Sequence, residues 1–214
     1  MELRTTYQQL MVQPEKFWNR VANGTSDRLG MTSLAMIQLA TSHLKTNDTV
    51  LDFGCGWGVI TNEIARDVKY VEGIDPAPRM IELAKYNAEK QAVDNVSFRQ
   101  SDLFDSRYQP NSFNAILAFN VLHYVENAPD ILRRMHDLLT TGGILITSTA
   151  CLKERWSVAR VILWLLSKIR LMPSTSFYKK KELEKVITAG GFDLVQTAEL
   201  TRLPEYFIVA KKQF

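Results

Sequence analysis

The chain has 214 residues, of which 46% are hydrophobic and 23% charged. This length and composition suit one α/β domain with a full core, and they exclude the disordered and fibrous classes. The two cysteines, Cys55 and Cys151, are too few for a disulfide framework or a metal site, so we expect no bound metal. No apolar segment follows Met1, and we expect a cytoplasmic protein rather than a secreted one.

The net charge of +3 is unevenly distributed along the chain. Residues 1–150 carry 14 Lys/Arg and 17 Asp/Glu, a net charge of −3, whereas residues 151–214 carry 12 and 6, a net charge of +6. The slightly acidic main part and the lack of an RNA-binding motif argue against a nucleic-acid partner.

Residues 1–30 are predicted to precede the α/β fold. Residues 7–23 have helical character broken by Pro14, with Phe17 and Trp18 as the large apolar side chains. Residues 33–45 are predicted to form an amphipathic helix.

The stretch from Val50 to Ile60 begins as a short apolar strand, passes through Gly54, Gly56 and Gly58, and resumes as a helix. A strand that enters a helix through a glycine turn is typical of nucleotide binding, because glycine lets the backbone approach a ligand. The dinucleotide fingerprint G-x-G-x-x-G requires a glycine where this chain has Val59. We therefore expect no close helix–strand approach of the NAD-binding kind. An ordinary tight turn is the alternative interpretation.

Further short strands are predicted over residues 70–75, 95–102, 113–120 and 144–147, the last after a helix that ends at Gly142-Gly143. The first three end in Asp75, Asp102 and Asn120. Asp75 follows Gly54 by 21 residues, close to the spacing of an acid that binds ribose hydroxyls.

Asp52 before the three glycines, with these strands in this order, resembles the class I S-adenosylmethionine (SAM) dependent methyltransferases of the small-molecule type. The resemblance runs from about Phe17 to the C-terminus and is most specific from Val50 to Thr149. It implies a single α/β domain over residues 1–214, with a Rossmann-like, doubly wound seven-stranded sheet in the order 3-2-1-4-5-7-6. Strand 7 would be antiparallel, with the last strands at 192–200 and 206–211. It also implies an N-terminal helical cap over residues 1–30, for which plain helix packing is the alternative. The apolar and basic residues 151–178 depart from the bare fold and are predicted to form a helical insertion over the pocket.

The resemblance further implies SAM as the cofactor, S-adenosylhomocysteine as the product, and a set of cofactor-binding residues. The glycines would lie beside the methionine part, Asp52 near the ammonium and sulfonium, and Asp75 on the ribose. Adenine would meet Pro76, Asp102 and Leu103. The complete set is Asp52, Gly54, Cys55, Gly56, Gly58, Asp75, Pro76, Asp102, Leu103, Phe119 and Asn120, the last two facing the acceptor.

Methyl transfer needs a base only if the acceptor must first lose a proton, since the methyl group is already activated. His123, after the fourth strand, is the candidate general base, with a structural or substrate-shaping role as the alternative. The candidate substrate-contacting residues are Tyr7, Trp18, His123, Tyr124 and Trp156.

The acceptor is expected to be a small molecule, because the motifs of DNA adenine and protein arginine methyltransferases are absent. The apolar segment 156–172, which carries Arg160, Lys168 and Arg170, favours a hydrophobic acceptor such as a lipid or quinone. This segment is too short to span a bilayer and could be a lid, an interface or a membrane-surface helix. A SAM-binding protein or partner subunit without catalysis is the alternative function. The oligomeric state is left open.

Overall fold

The computed structural model describes residues 15–24, 29–125, 127–154, 162, 165–167, 173–200 and 205–213. Tyr7, Trp156 and most of the segment 156–172 lie outside these residues.

The described ranges hold seven strands and six α-helices of seven or more residues, and residues 162 and 165–167 are also helical. The helices are α1 (residues 15–22), α2 (Met31–Thr41), α3 (Val59–Ala65), α4 (Pro78–Lys90), α5 (Ala128–Leu138) and α6 (Lys180–Ala189). The strands are β1 (Thr49–Phe53), β2 (Tyr70–Asp75), β3 (Val96–Gln100), β4 (Phe113–Phe119), β5 (Leu139–Ala150), β6 (Phe192–Glu199) and β7 (Glu205–Lys212). None of the helices described is both long enough and apolar enough to cross a membrane.

The strands form one seven-stranded sheet in the order β3-β2-β1-β4-β5-β7-β6, which confirms the expected topology. The first five strands pair in parallel, and β7 runs antiparallel between β5 and β6. Helices cover both faces, so the central strands are buried along nearly their whole length, as in β4. Ligands of such sheets bind at the carboxyl ends of the parallel strands.

Two hydrophobic clusters hold the helices on opposite faces of the sheet. On one face, Met36 and Ala40 of α2 and Ile64 of α3 pack on alternate residues of the central strands, such as Val50. On the other face, α5 and α6 pack on the intervening residues, such as Leu51. Residues 50 and 52 of β1 therefore face α2 and α3, which decides where Asp52 points.

Two helix boundaries differ from the sequence predictions. Helix α2 begins at Met31, and its Met31 and Leu34 are 84% and 50% exposed, so its apolar residues do not form one buried stripe. Helix α5 ends at Leu138 because Leu139 is already extended and pairs with Phe113. Gly142, with φ +74°, lies inside β5 where the register shifts, so the two glycines form a bulge rather than the end of the helix.

Gly58 corrects the expectation that this turn lacks a close helix approach. It is the N-cap of α3 with φ +76°, and a Cβ there would lie 2.8 Å from Ala84 of α4 and 2.8 Å from Phe98 of β3. The third glycine of this chain thus provides the close packing that the dinucleotide fingerprint obtains one position later.

Replacing Gly58 by alanine is expected to lower the free energy of unfolding by about 2–5 kcal/mol, from backbone strain and from overpacking against Ala84 and Phe98. Gly56→Ala is the matched control, since its φ is +54° but a Cβ would meet nothing within 4 Å. It should cost only the strain, about 1–2 kcal/mol. Denaturant unfolding measures both losses, and equal losses would contradict the packing role.

Candidate active site

A cavity of about 410 Å³ opens at the carboxyl edge of the sheet, within the size range of small-molecule sites. Its wall combines the glycine turn, the ends of β1, β2 and β4, the start of β7, and residues of α1 and α2. The lining residues are Trp18, Leu29, Thr32, Ser33, Met36, Asp52, Phe53, Gly54, Cys55, Gly56, Trp57, Val59, Ile60, Asp75, Pro76, Met80, Phe119, Asn120, Val121, Tyr124, Val125, Ser174 and Glu205.

The glycine turn brings bare backbone to the cavity. The Gly54 N–H donates to the Ile74 carbonyl over 2.8 Å, and a Cβ at position 54 would lie 2.8 Å from the Val121 side chain. Position 56 faces open space. Cys55, between them, is held by burial at a pKa well above that of an ordinary thiol, so it stays protonated and fills space. Gly58 lies outside the cavity wall, and the structure does not place it beside a ligand.

Asp75 closes the turn onto the end of β2. Its carboxylate accepts one hydrogen bond from the Gly56 N–H (3.1 Å) and another from the Ala77 N–H (2.9 Å). The residue is only 8% exposed, and burial raises its pKa to about 6 against these two hydrogen bonds. Each oxygen retains a lone pair that a ribose hydroxyl could use.

Asp52 lies on the neighbouring strand and is buried more deeply, at 3% exposure. It accepts a hydrogen bond from the Thr61 hydroxyl at 2.6 Å. Burial raises its pKa to about 7, and the charge of Asp75 adds to this effect. No Lys, Arg or His is among the residues of the described wall, so no basic side chain there offsets the charge of these carboxylates. A cationic ligand is therefore favoured there.

Asp102 and Leu103, the predicted adenine contacts, do not line the described cavity. The Asp102 carboxylate accepts the Phe104 N–H at 2.7 Å, which forms a local turn, and the Leu103 side chain is fully buried in the core with α5. Pro76, by contrast, lies in the wall near Trp57 and Met80. Adenine binding by residues 102 and 103 stays a prediction that this geometry does not support.

His123 is not among the residues that line the cavity, so its role as a general base stays a prediction. It lies in a 3-10 turn (Leu122–Tyr124), 8% exposed, with its ring 4.1 Å from that of Tyr124. Its Nδ1 has no hydrogen-bond partner among the described residues, and burial lowers its pKa to about 4. An imidazole that does not reach the cavity wall is not placed to accept a proton from a ligand bound there. A structural role, the alternative given above, agrees better with this position, because the His123 carbonyl accepts the Ser176 N–H at 2.7 Å.

Trp18 and Tyr124 form an aromatic wall. Their rings meet edge to face with centroids 5.0 Å apart, and both line the cavity. Helix α1 is held there by Asn19, whose side-chain oxygen accepts the Arg79 N–H at 3.1 Å, one of the free N–H groups at the start of α4. Residues 15–22 thus cover one side of the cavity.

Glu205 is an acidic lining residue that sequence reasoning missed. Because β7 is antiparallel, its first residue comes to the carboxyl edge of the parallel strands. Its Oε1 accepts hydrogen bonds from the Asn120 side-chain amide and the Ser148 hydroxyl, each at 2.9 Å. The expected strand order already implied that the start of strand 7 reaches this edge, and an acidic residue there was the available signal.

Replacing Asp52 by asparagine is expected to stabilise the unliganded protein at pH 8. Its folded-state pKa of about 7 lies above the ordinary 3.8, so its contribution to stability is fully present below pH 4 and is lost as the pH rises through 7. The amide of the variant would keep an oxygen for the Thr61 hydroxyl. The thermal midpoint should rise by at least about 2 °C at pH 8, and the difference from wild type should shrink as the pH falls and vanish below about pH 4.

Burial also lowers the pKa of His123, which makes the stability rise with pH below pH 6.5, opposite to the effect of Asp52. Because wild type and variant share His123, the difference between them at each pH isolates Asp52. Asp193→Asn, an exposed carboxylate on β6, is the control. A variant that is less stable than wild type at pH 8 would contradict the assignment.

A family model described as a methyltransferase domain matches residues 44–203, about three quarters of the chain. A ubiquinone biosynthesis O-methyltransferase from Azorhizobium caulinodans is 28% identical over 183 residues, covering 77% of this chain and 72% of the relative. Other curated relatives of the same name match over less of their own length, from 39% to 60%.

Solved structures share the fold. A SAM-dependent methyltransferase from Methanosarcina mazei superposes with a TM-score of 0.68 at 21% identity, covering 82% of this chain and 97% of that one. A geranyl diphosphate methyltransferase in complex with SAM gives a TM-score of 0.70 at 16% identity, covering 83% and 84%. With the sheet, the glycine turn and the acidic cavity inside the matched region, the chain belongs to the SAM-dependent methyltransferases of the methyltransferase domain family.

Proposed function

We propose that this methyltransferase transfers the methyl group of SAM to a small, largely apolar acceptor through a hydroxyl or amine. The observation that carries the proposal is one cavity whose lining combines two buried carboxylates with apolar and aromatic side chains.

At the acidic end, the chain's residues suit the cofactor. We assign the ribose hydroxyls to Asp75, whose carboxylate the Gly56 and Ala77 N–H groups already orient. Asp52 provides the negative charge for the ammonium and sulfonium, and Pro76 an apolar surface for the base. When bound, SAM supplies an activated methyl group, so the remaining task of the protein is to orient the acceptor and exclude water.

The acceptor part of the wall is apolar and aromatic. We assign Tyr124, Val125 and Met36 to this part, and no Lys or Arg is present among the described lining residues to bind a polyanion. This favours an aromatic or lipid-like small molecule over a nucleic acid. The relatives named ubiquinone biosynthesis O-methyltransferases support a quinone-like O-acceptor. A SAM-binding protein without catalysis is the alternative, and methylated product from any such acceptor would exclude it.

Asp75→Ala should weaken SAM binding at least about tenfold, because charge-assisted hydrogen bonds are worth about 1.5–3 kcal/mol each. Titration calorimetry measures the affinity, and thermal unfolding verifies the fold. The control is Asp67→Ala, which replaces an exposed carboxylate after α3 and should leave the SAM affinity unchanged.

Thermal shift adds a test of the cofactor type, with stabilisation expected from SAM and S-adenosylhomocysteine and none from NAD. Unchanged SAM affinity in Asp75→Ala would show that the nucleotide end is misassigned, and stabilisation by NAD alone would overturn the proposed cofactor.

We further propose that the protein is cytoplasmic and that its segment 156–172 contacts an anionic membrane surface, where an apolar acceptor would reside. Two of its residues, Ile162 and Leu165, are 50% and 51% exposed. The net charge of +6 over residues 151–214 adds attraction that salt weakens. Both cysteines are free, in keeping with a reducing compartment.

Ile162→Ser combined with Leu165→Ser should at least halve co-sedimentation with phosphatidylserine-containing vesicles at low salt, since apolar area drives insertion. Val195→Ser is the matched control, because Val195 is 56% exposed on the edge strand β6. Wild-type protein that stays in the supernatant at low salt would leave the segment as a lid or an interface only.

A further inference from the structure

We infer that Glu205 binds the hydroxyl or amine of the methyl acceptor and receives its proton. This inference rests on the proposed function, and it names the group at the far end of the cavity that the cofactor does not use.

The position of Glu205 in the sheet separates it from the cofactor carboxylates. Asp75 lies on β2 and Asp52 on β1, whereas Glu205 lies on β7, beyond β4 and β5. Three strand spacings separate β1 from β7, which corresponds to about 14 Å at the usual spacing. A cofactor whose ribose and cationic groups meet Asp75 and Asp52 therefore leaves the Glu205 end of the cavity for the second substrate.

Neighbouring side chains fix the direction of the Glu205 carboxylate. Its Oε1 accepts from Asn120 and from Ser148, and Ser148 is fully buried. Asn120 is itself held, because its N–H donates to the Ser148 carbonyl at 2.8 Å and its φ is +53°. A carboxylate has about four acceptor positions, so two donors on one oxygen orient the group and leave the other oxygen for a ligand.

The chemistry of the surrounding wall narrows what the ligand must offer. Glu205 is the remaining acidic residue of the described lining, among Met36, Phe119, Tyr124 and Val125. A wholly apolar ligand would desolvate this carboxylate without replacing its hydrogen bonds, which is unfavourable. The fitting ligand is therefore an amphiphile with an apolar body and one O–H or N–H donor.

When the acceptor is a hydroxyl, the same position allows Glu205 to receive the proton that the hydroxyl loses. The acceptor oxygen forms a bond to the methyl carbon as the carbon–sulfur bond of SAM breaks, and the sulfonium becomes the neutral thioether of S-adenosylhomocysteine. The hydroxyl proton passes to the Glu205 carboxylate, so charge and atoms balance. His123 is not needed for this step.

The test measures binding in the presence of saturating S-adenosylhomocysteine, with 4-hexylphenol and 4-hexylanisole as a pair that differs by the hydroxyl donor. Wild type should bind the phenol at least about tenfold more tightly. In Glu205→Gln the free carboxamide edge becomes a donor, and the two affinities should come within about twofold. Asn120→Gly, which suits the positive φ and removes the orienting amide, should also reduce the preference.

Glu199→Gln, an exposed glutamate on the same hairpin, should keep the wild-type preference. S-adenosylhomocysteine affinity and the thermal midpoint of each variant separate the outcomes. If the wild-type protein does not bind S-adenosylhomocysteine, the proposed function itself is overturned. Intact nucleotide binding with no phenol binding, no phenol preference, or a preference that survives Glu205→Gln would overturn the role of Glu205.

Discussion

The burial of two carboxylates beside a bare glycine turn is the constraint on which this structure depends. Asp52 and Asp75 are 3% and 8% exposed, and no Lys, Arg or His faces them in the described cavity wall. Hydrogen bonds from Thr61, Gly56 and Ala77 only partly offset the loss of hydration, which is why both pKa values lie above the ordinary range. The fold thus holds a negative potential that a cationic ligand can relieve, at a cost to its own stability.

The second organising feature is the reversal of β7. In an all-parallel sheet every strand would present its last residue at the carboxyl edge. The antiparallel β7 presents its first residue, Glu205, at that edge instead. On another side of the cavity, the hydrogen bond between Asn19 and the Arg79 N–H holds α1 against α4, and Trp18 packs against Tyr124. The two buried carboxylates, the aromatic pair and Glu205 therefore line one cavity, assembled from elements far apart in the chain.

Much of this arrangement could be predicted because it follows from local patterns. Apolar runs with glycines and acids at their ends predicted the strands, and the position of Asp52 and Asp75 at strand ends placed them at the ligand edge. The residues whose surroundings differ from the expectation depend on packing between elements. Gly58 faces Ala84 and Phe98 rather than the cavity, which only the position of α4 and β3 reveals. His123 and Tyr124 are adjacent in sequence, yet only Tyr124 lines the wall.

Proton release on cofactor binding tests the central claim most directly. SAM should be titrated into the protein at pH 6.5 in buffers of different ionisation enthalpy, which counts protons exchanged per binding event. With pKa values of about 7 and about 6 in the free protein, ionisation of Asp52 and Asp75 by the bound cation should release about one proton. Asp52→Asn should remove most of that release. Binding with no proton release, or with proton uptake, would contradict the account of a buried carboxylate pair that receives the charge of the cofactor.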